Sequence, residues 1–105
     1  MFTWDTNKAL LNFEKHGVTF FEAASVFEDP EALEILDERH SATESRSWRI
    51  GCSDEGRVLI VVYTVRRSTD EEAIRIISAR RASRKERAAY ARRPHRLLRR
   101  PGAYR

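Results

Sequence analysis

The chain reads as an α+β domain: an antiparallel β-sheet of about four strands, with two N-terminal helices and one C-terminal helix. Three observations lead there. Val58–Arg67 and Ala73–Arg81 are runs rich in Val and Ile, separated by the five polar residues Ser68–Glu72. Such runs broken by turn-forming residues are a hairpin signature. The first 28 residues carry two helix-start signals, and Ser83-Arg-Lys-Glu86 has capping-box spacing for a third helix. Strands that follow one another with short connections favour an antiparallel meander, which the helices must cover on at least one face.

In chain order, Met1–Trp4 is a short apolar opening that suits an edge strand. Asp5 is an N-cap for a helix over Thr6–Lys15, which Gly17 terminates. Ala9, Leu10 and Phe13 are its apolar side, while Lys8 and Asn12 read as solvated surface. Thr19 and Glu22 form a second capping box, starting a helix over Phe20–Glu28. Phe20, Ala23, Ala24 and Phe27 follow helical spacing and predict its core face. Asp29-Pro30 stops it.

Ala32–Leu36 alternates as a strand, Asp37–Ser45 reads as a loop, and Ser47–Cys52 is the next strand, with Trp48 and Ile50 facing opposite to Arg49 and Gly51. Val58–Tyr63 is apolar on both faces, as in a central strand, with Tyr63 in the core. On the last strand, strict alternation puts Ile74, Ile76, Ser78 and Arg80 on one face and Arg75, Ile77, Ala79 and Arg81 on the other. The final helix spans Arg84–Arg92 and stops before Pro94. Residues 1–93 form one domain. The tail 94–105 is basic, lacks a periodic apolar face, and is expected to be disordered or to order only on a partner.

Charge narrows the function. Residues 1–45 hold 3 Lys/Arg against 10 Asp/Glu, and residues 46–105 hold 17 against 6, of which 16 are Arg. Arginine forks match phosphate and stack on bases, so a nucleic acid is the favoured polyanion. The longest apolar run, Val58–Tyr63, is too short to span a membrane, and the start of the chain lacks the pattern of a signal peptide. The single cysteine, Cys52, suits a reducing cytoplasm. No phosphate loop, dinucleotide fingerprint or nucleophile elbow occurs. His16, His40, His95 and Cys52 lack metal-site spacing, so no metal and no cofactor is expected.

What remains is basic chemistry on a phosphate. RNA carries its own nucleophile, the 2′-hydroxyl, so a metal-free ribonuclease needs cations and groups that move protons. Arg80, Arg66, Glu86, Tyr90, His16 and Lys8 are chemically suitable, although each taken alone is more often surface or a structural ion pair. A non-catalytic nucleic-acid-binding or regulatory module, and a protein that mainly receives an acidic or helical partner, fit the same charge pattern.

An ordered set of short motifs resembles the BrnT toxins of bacterial type II toxin–antitoxin modules. It comprises Trp4-Asp5, Asn7-Lys8, Asn12, Lys15-His16-Gly17-Val18, Phe20, Glu22-Ala23, Val26-Phe27 and Asp29-Pro30, then Arg49-Ile50-Gly51 and Val61-Val62-Tyr63-Thr64. Arg75–Arg80 follows, with Ala82, Glu86, Arg87 and Tyr90. The resemblance covers roughly residues 2–91. It implies a RelE-like toxin fold with the RNA site on the sheet and helices on its other side. It also implies a cytoplasmic endoribonuclease that halts translation, and a ribbon-helix-helix antitoxin of the BrnA type in a heterotetramer that meets promoter DNA only through the antitoxin. On these positions Arg80 and Arg66 are phosphate ligands, and Glu86 and His16 move protons. Lys8, Arg49, Arg75, Arg81 and Tyr90 contact RNA. His16 as a helix-end cap, and Glu86 as a capping-box partner to a sheet arginine, stay open.

Overall fold

A computed structural model of the chain describes residues 1–37, 46–67 and 71–92. The elements run β1 (Phe2–Thr3), α1 (Thr6–His16), α2 (Phe20–Ser25), a 3₁₀ turn (Val26–Glu28), β2 (Leu33–Asp37), β3 (Arg46–Cys52), β4 (Val58–Arg67), β5 (Glu72–Arg81) and α3 (Arg84–Ala91). Each helix starts where its cap predicts. Asp5 accepts from the Lys8 amide at 3.1 Å and Thr19 from the Glu22 amide at 3.0 Å. Ser83 and Glu86 close a reciprocal capping box. Gly17 ends α1 at φ 70°, donating its N–H to the Phe13 carbonyl at 2.8 Å. The predicted helix over Phe20–Glu28 is shorter, because its last turn tightens into the 3₁₀ geometry.

The sheet corrects the expected all-antiparallel array of about four strands. It has five strands in the order β1-β5-β4-β3-β2, and β1 runs parallel to β5. The chain leaves β1, crosses through α1 and α2, and enters at the far edge as β2, so β1 caps the opposite edge. A two-residue strand is too short to show alternation, and its pairing is invisible to a local pattern.

The register separates two faces. Leu59, Val61 and Tyr63 of β4 lie with Ile76 and Ala79 of β5 against Val18, Phe20, Ala23 and Val26. Trp4, Ala9, Ala24 and Phe27 pack around that core. Each such apolar side chain removed from water contributes about 1.5–3 kcal/mol. The other face carries Ile50, Ile60 and Ala82, with Leu33, Trp48, Val58 and Tyr90 of α3 packed on them. Helices thus lie on both sides, not on one as the resemblance implies: α3 covers one end of the second face, the more open of the two, and among the described residues no other helix packs on its apolar cluster. Gly51 sits where a Cβ would come within 2.9 Å of Ala32 Cβ and Val26 Cγ1, so β3 can approach the 3₁₀ turn only without a side chain.

Three expectations for the N-terminal helices are corrected. Asn12 is buried: its Nδ2 donates to the Val18 carbonyl at 3.1 Å and the Ala79 carbonyl at 2.8 Å, and its Oδ1 accepts from the Ala79 amide at 3.1 Å. Beyond the end of β1, the edge of β5 needs a partner, and an amide side chain is the one group that both donates and accepts as a strand would. Phe13 and Leu10, grouped with Ala9 as the apolar side of α1, are 51% and 62% exposed, because Ala9 and Asn12 take the side that meets the sheet. Glu22 does not close back on its helix start. It is buried, and accepts from Ser53 Oγ at 2.7 Å and from the Arg57 guanidinium. The hydrogen bonds from Arg57 hold its carboxyl below the usual carboxylate range. The loop 38–45 with His40, the tip 68–70 and the predicted tail 94–105 lie outside the described residues.

Candidate active site

Strict alternation fails at one place. Val62 pairs with Ser78 and Tyr63 with Ile76, so Ile77 is an extra residue, a β-bulge in β5. The bulge resets the parity of the strand. Arg75 pairs with Thr64, Ser78 with Val62 and Arg80 with Ile60, and all three share the open face. The expected grouping, with Arg75 opposite to Arg80, is therefore corrected. Arg81 pairs with Leu59 and falls on the helix-covered face.

Arg80 stands at a cavity of about 350 Å³ on the open face, lined by His16, Arg46, Trp48, Val62 and Ser78 among others. Glu86 grips Arg80 with both oxygens, 2.9 Å to each terminal nitrogen, in fork-to-fork geometry. The same carboxylate accepts from the Ser83 amide at 2.8 Å. The capping box of α3 and the clamp on Arg80 are thus one group. The hydrogen bonds from Arg80 push Glu86 down to about 2, and the Arg80 pKa moves up in return. At neutral pH Glu86 is a fixed anion with its oxygens occupied, suited to aiming Arg80 and poorly suited to accepting a proton.

His16 reaches the cavity because of Asn12. The amide of Asn12 pins α1 to the β5 edge at Ala79, and His16 lies one turn further along the same side of the helix. The backbone cap of α1 is made by Gly17, which leaves the imidazole half-buried against the cavity. Histidine is the side chain whose proton moves most readily near neutral pH. Guanidinium and imidazole thus converge from elements more than 60 residues apart.

The model of the family described as "Ribonuclease toxin, BrnT, of type II toxin-antitoxin system" matches residues 4–86. The chain belongs to the BrnT family. It is a ribonuclease-toxin family, and the matched span includes the bulge, Arg80, His16 and Glu86. The crystal structure of the Brucella abortus ribonuclease toxin BrnT resembles the chain with a TM-score of 0.57 at 24% identity, covering 80% of this chain and 99% of that one. That likeness shows the fold: an α+β domain with a mixed five-stranded sheet and three helices. No curated protein matches the chain.

The other candidate residues of this BrnT-family chain are scattered. Arg66 is on the open face but six residues along β4 from Ile60, about 20 Å from the level of Arg80. One phosphate cannot bridge that span. Arg75 lies between them at the level of Thr64. Lys8 is exposed on α1 and does not line the cavity. Arg49 is on the opposite face as a structural clamp: it stacks 5.1 Å over the Phe27 ring and bonds Glu34, the Val26 carbonyl and the Asp29 carbonyl. Arg81 adds positive potential near Glu22. Tyr90 donates its hydroxyl to Asp29 and holds α3 on the sheet. Arg46 and Trp48 line the cavity without having been singled out. The alternation of Trp48 with Ile50 was visible, but Arg46 lies just outside the predicted strand Ser47–Cys52, and the strand pairing that brings both to the cavity was not visible. Asp37 stands opposite Arg46 in the register.

Proposed function

We propose that this BrnT-family chain is a metal-independent endoribonuclease toxin that cleaves RNA on the open sheet face. The observation that carries the reading is Arg80, aimed by a bidentate Glu86 into a cavity that His16 also lines. In the reaction, His16 takes the proton of a 2′-hydroxyl, and that oxygen bonds to the adjacent phosphorus. The bond to the 5′-oxygen breaks, and solvent protonates the leaving alkoxide. The products are a 2′,3′-cyclic phosphate and a 5′-hydroxyl end. Arg80 neutralises the non-bridging oxygens as charge builds on them. Arg75 and Arg66 guide the flanking backbone.

Cleavage of messenger RNA in the cytoplasm would halt translation. As a type II toxin, the chain would be neutralised by a protein antitoxin, here read as a ribbon-helix-helix protein of the BrnA type in a complex of two toxins and two antitoxins. Promoter DNA would be met only through that partner. No helix among the described residues is long and apolar enough to cross a membrane.

The test is cleavage of a defined RNA by the antitoxin-free chain in EDTA, beside Arg80→Ala. The parent should cleave, leaving cyclic-phosphate ends, and the variant should lose about 100-fold or more in rate while keeping its circular dichroism spectrum. No cleavage by the folded parent, or cleavage by the variant at the parental rate, overturns the proposal.

A further inference from the structure

Trp48 sits in the middle of the open face, paired with Ile35 on one side and Val62 on the other. Six other described rings meet one another: Trp4 meets Phe20 and Phe21, and Phe27 meets Phe2 and Tyr63. Trp48 has no ring partner among the described residues, and its indole N–H meets no acceptor there. Its ring is half-buried and lines the cavity between Arg46 and Arg80. The N–H is reached by solvent rather than sealed in the core, and an aromatic surface between guanidinium groups is the arrangement that receives a nucleobase.

We propose that Trp48 is the platform on which one unstacked base of single-stranded RNA lies while Arg80 holds its phosphate. This rests on the ribonuclease reading and names the substrate form. In an RNA duplex the bases are stacked and paired, so a base meets a ring set in a cavity only if it is extruded. The apolar floor, Val62 and Ile77, accepts the base edge, and Ser78 and the indole N–H offer it hydrogen bonds. Trp48 is thus a positioning and selectivity residue, distinct from the groups that move protons.

The experiment uses the full chain carrying Trp4→Phe, which leaves Trp48 as the only tryptophan. The probe is a 2′-O-methyl RNA oligonucleotide, which has no free nucleophile, offered as a single strand and as a duplex. The single strand should quench Trp48 emission at saturation and the duplex should not. Trp48→Leu should weaken single-strand binding about 5- to 100-fold and raise KM on cleavable RNA, while Trp48→Phe restores most of both. If the chain cleaves RNA but Trp48→Leu changes neither affinity nor KM, the platform falls and the ribonuclease reading stands. If single-stranded probe quenches Trp48 but natural RNA is never cut, the platform stands and the ribonuclease reading falls. Equal quenching by the duplex, or no quenching, overturns the platform. Should Trp48→Leu fail to fold, the emission titration decides alone.

Discussion

Glu86→Gln separates two roles that a carboxylate beside Arg80 can have. The structure makes Glu86 an anion that aims Arg80, with its pKa pushed from 4.5 to about 2. Each unit of such a shift corresponds to about 1.4 kcal/mol, so the full linkage is roughly 3 kcal/mol. The Arg80 side chain is 38% exposed, and solvent screening reduces this to about 1–2 kcal/mol. Glutamine keeps one acceptor for Arg80 and the Ser83 amide, but turns an NH2 toward the second guanidinium nitrogen. We expect kcat/KM to fall about 5- to 30-fold, Tm to fall by about 4–10 °C, and the pH–rate profile to keep its shape near neutrality. The sign of the pH effect follows from a depressed carboxyl. Its stabilisation is complete above about 4.5 and is lost as the pH falls toward about 2, so the Tm gap between parent and variant should hold from pH 5 to 8 and close below. Melting curves across pH and single-turnover cleavage rates measure both. Loss of a neutral limb of the profile, or a rate loss of about 10⁴-fold at unchanged Tm, would refute the positioning role and make Glu86 the proton acceptor.

Three further changes probe the scaffold. Gly51→Ala places a Cβ 2.9 Å from Ala32 and Val26 and should cost about 1–3 kcal/mol, read as a lower urea midpoint with unchanged slope. Asn12→Ala leaves the amide and carbonyl of Ala79 and the carbonyl of Val18 without their partner; a loss of about 3 kcal/mol is expected, together with a cleavage defect in the folded fraction because His16 is no longer pinned. Glu22→Gln breaks the pair with Arg57 where the carboxylate side chain is 3% exposed, so its Tm loss should exceed that of Glu86→Gln; an equal or smaller loss would contradict the burial argument.

Much of the fold was legible because its signals are local. Asp5, Gly17, Thr19 and Ser83 mark helix ends through bonds to residues three or four positions away, and the runs in β4 and β5 announce themselves by composition. What was missed depends on distant partners. Asn12 reads as solvated surface because it is polar, and Glu22 reads as the carboxylate of a capping box. Each is buried because a matching group, Ala79 for one and Arg57 for the other, arrives from more than 30 residues away. A sequence pattern carries the cost of burying a polar group but not the bond that offsets it. The parallel pairing of β1 with Ile74 and Arg75 is hidden for the same reason.

The site was legible as a set of residue types and not as an arrangement, and Ile77 explains why. Uninterrupted alternation would put Ser78 and Arg80 with Ile76 on the helix-covered face and Ala79 on the other. The Ser78 hydroxyl would then be buried opposite Val61, and Asn12 would lose the edge it binds. One bulged residue lets Ile76 and Ala79 both enter the core, at the loss of a single ladder pair. The same reset turns Arg80 outward, over Ile60, where the carboxylate of α3 can hold it. Packing of the core and exposure of the phosphate-binding arginine are therefore one structural choice. A change that relieved the bulge would move Arg80 through the sheet even though it touched no charged residue.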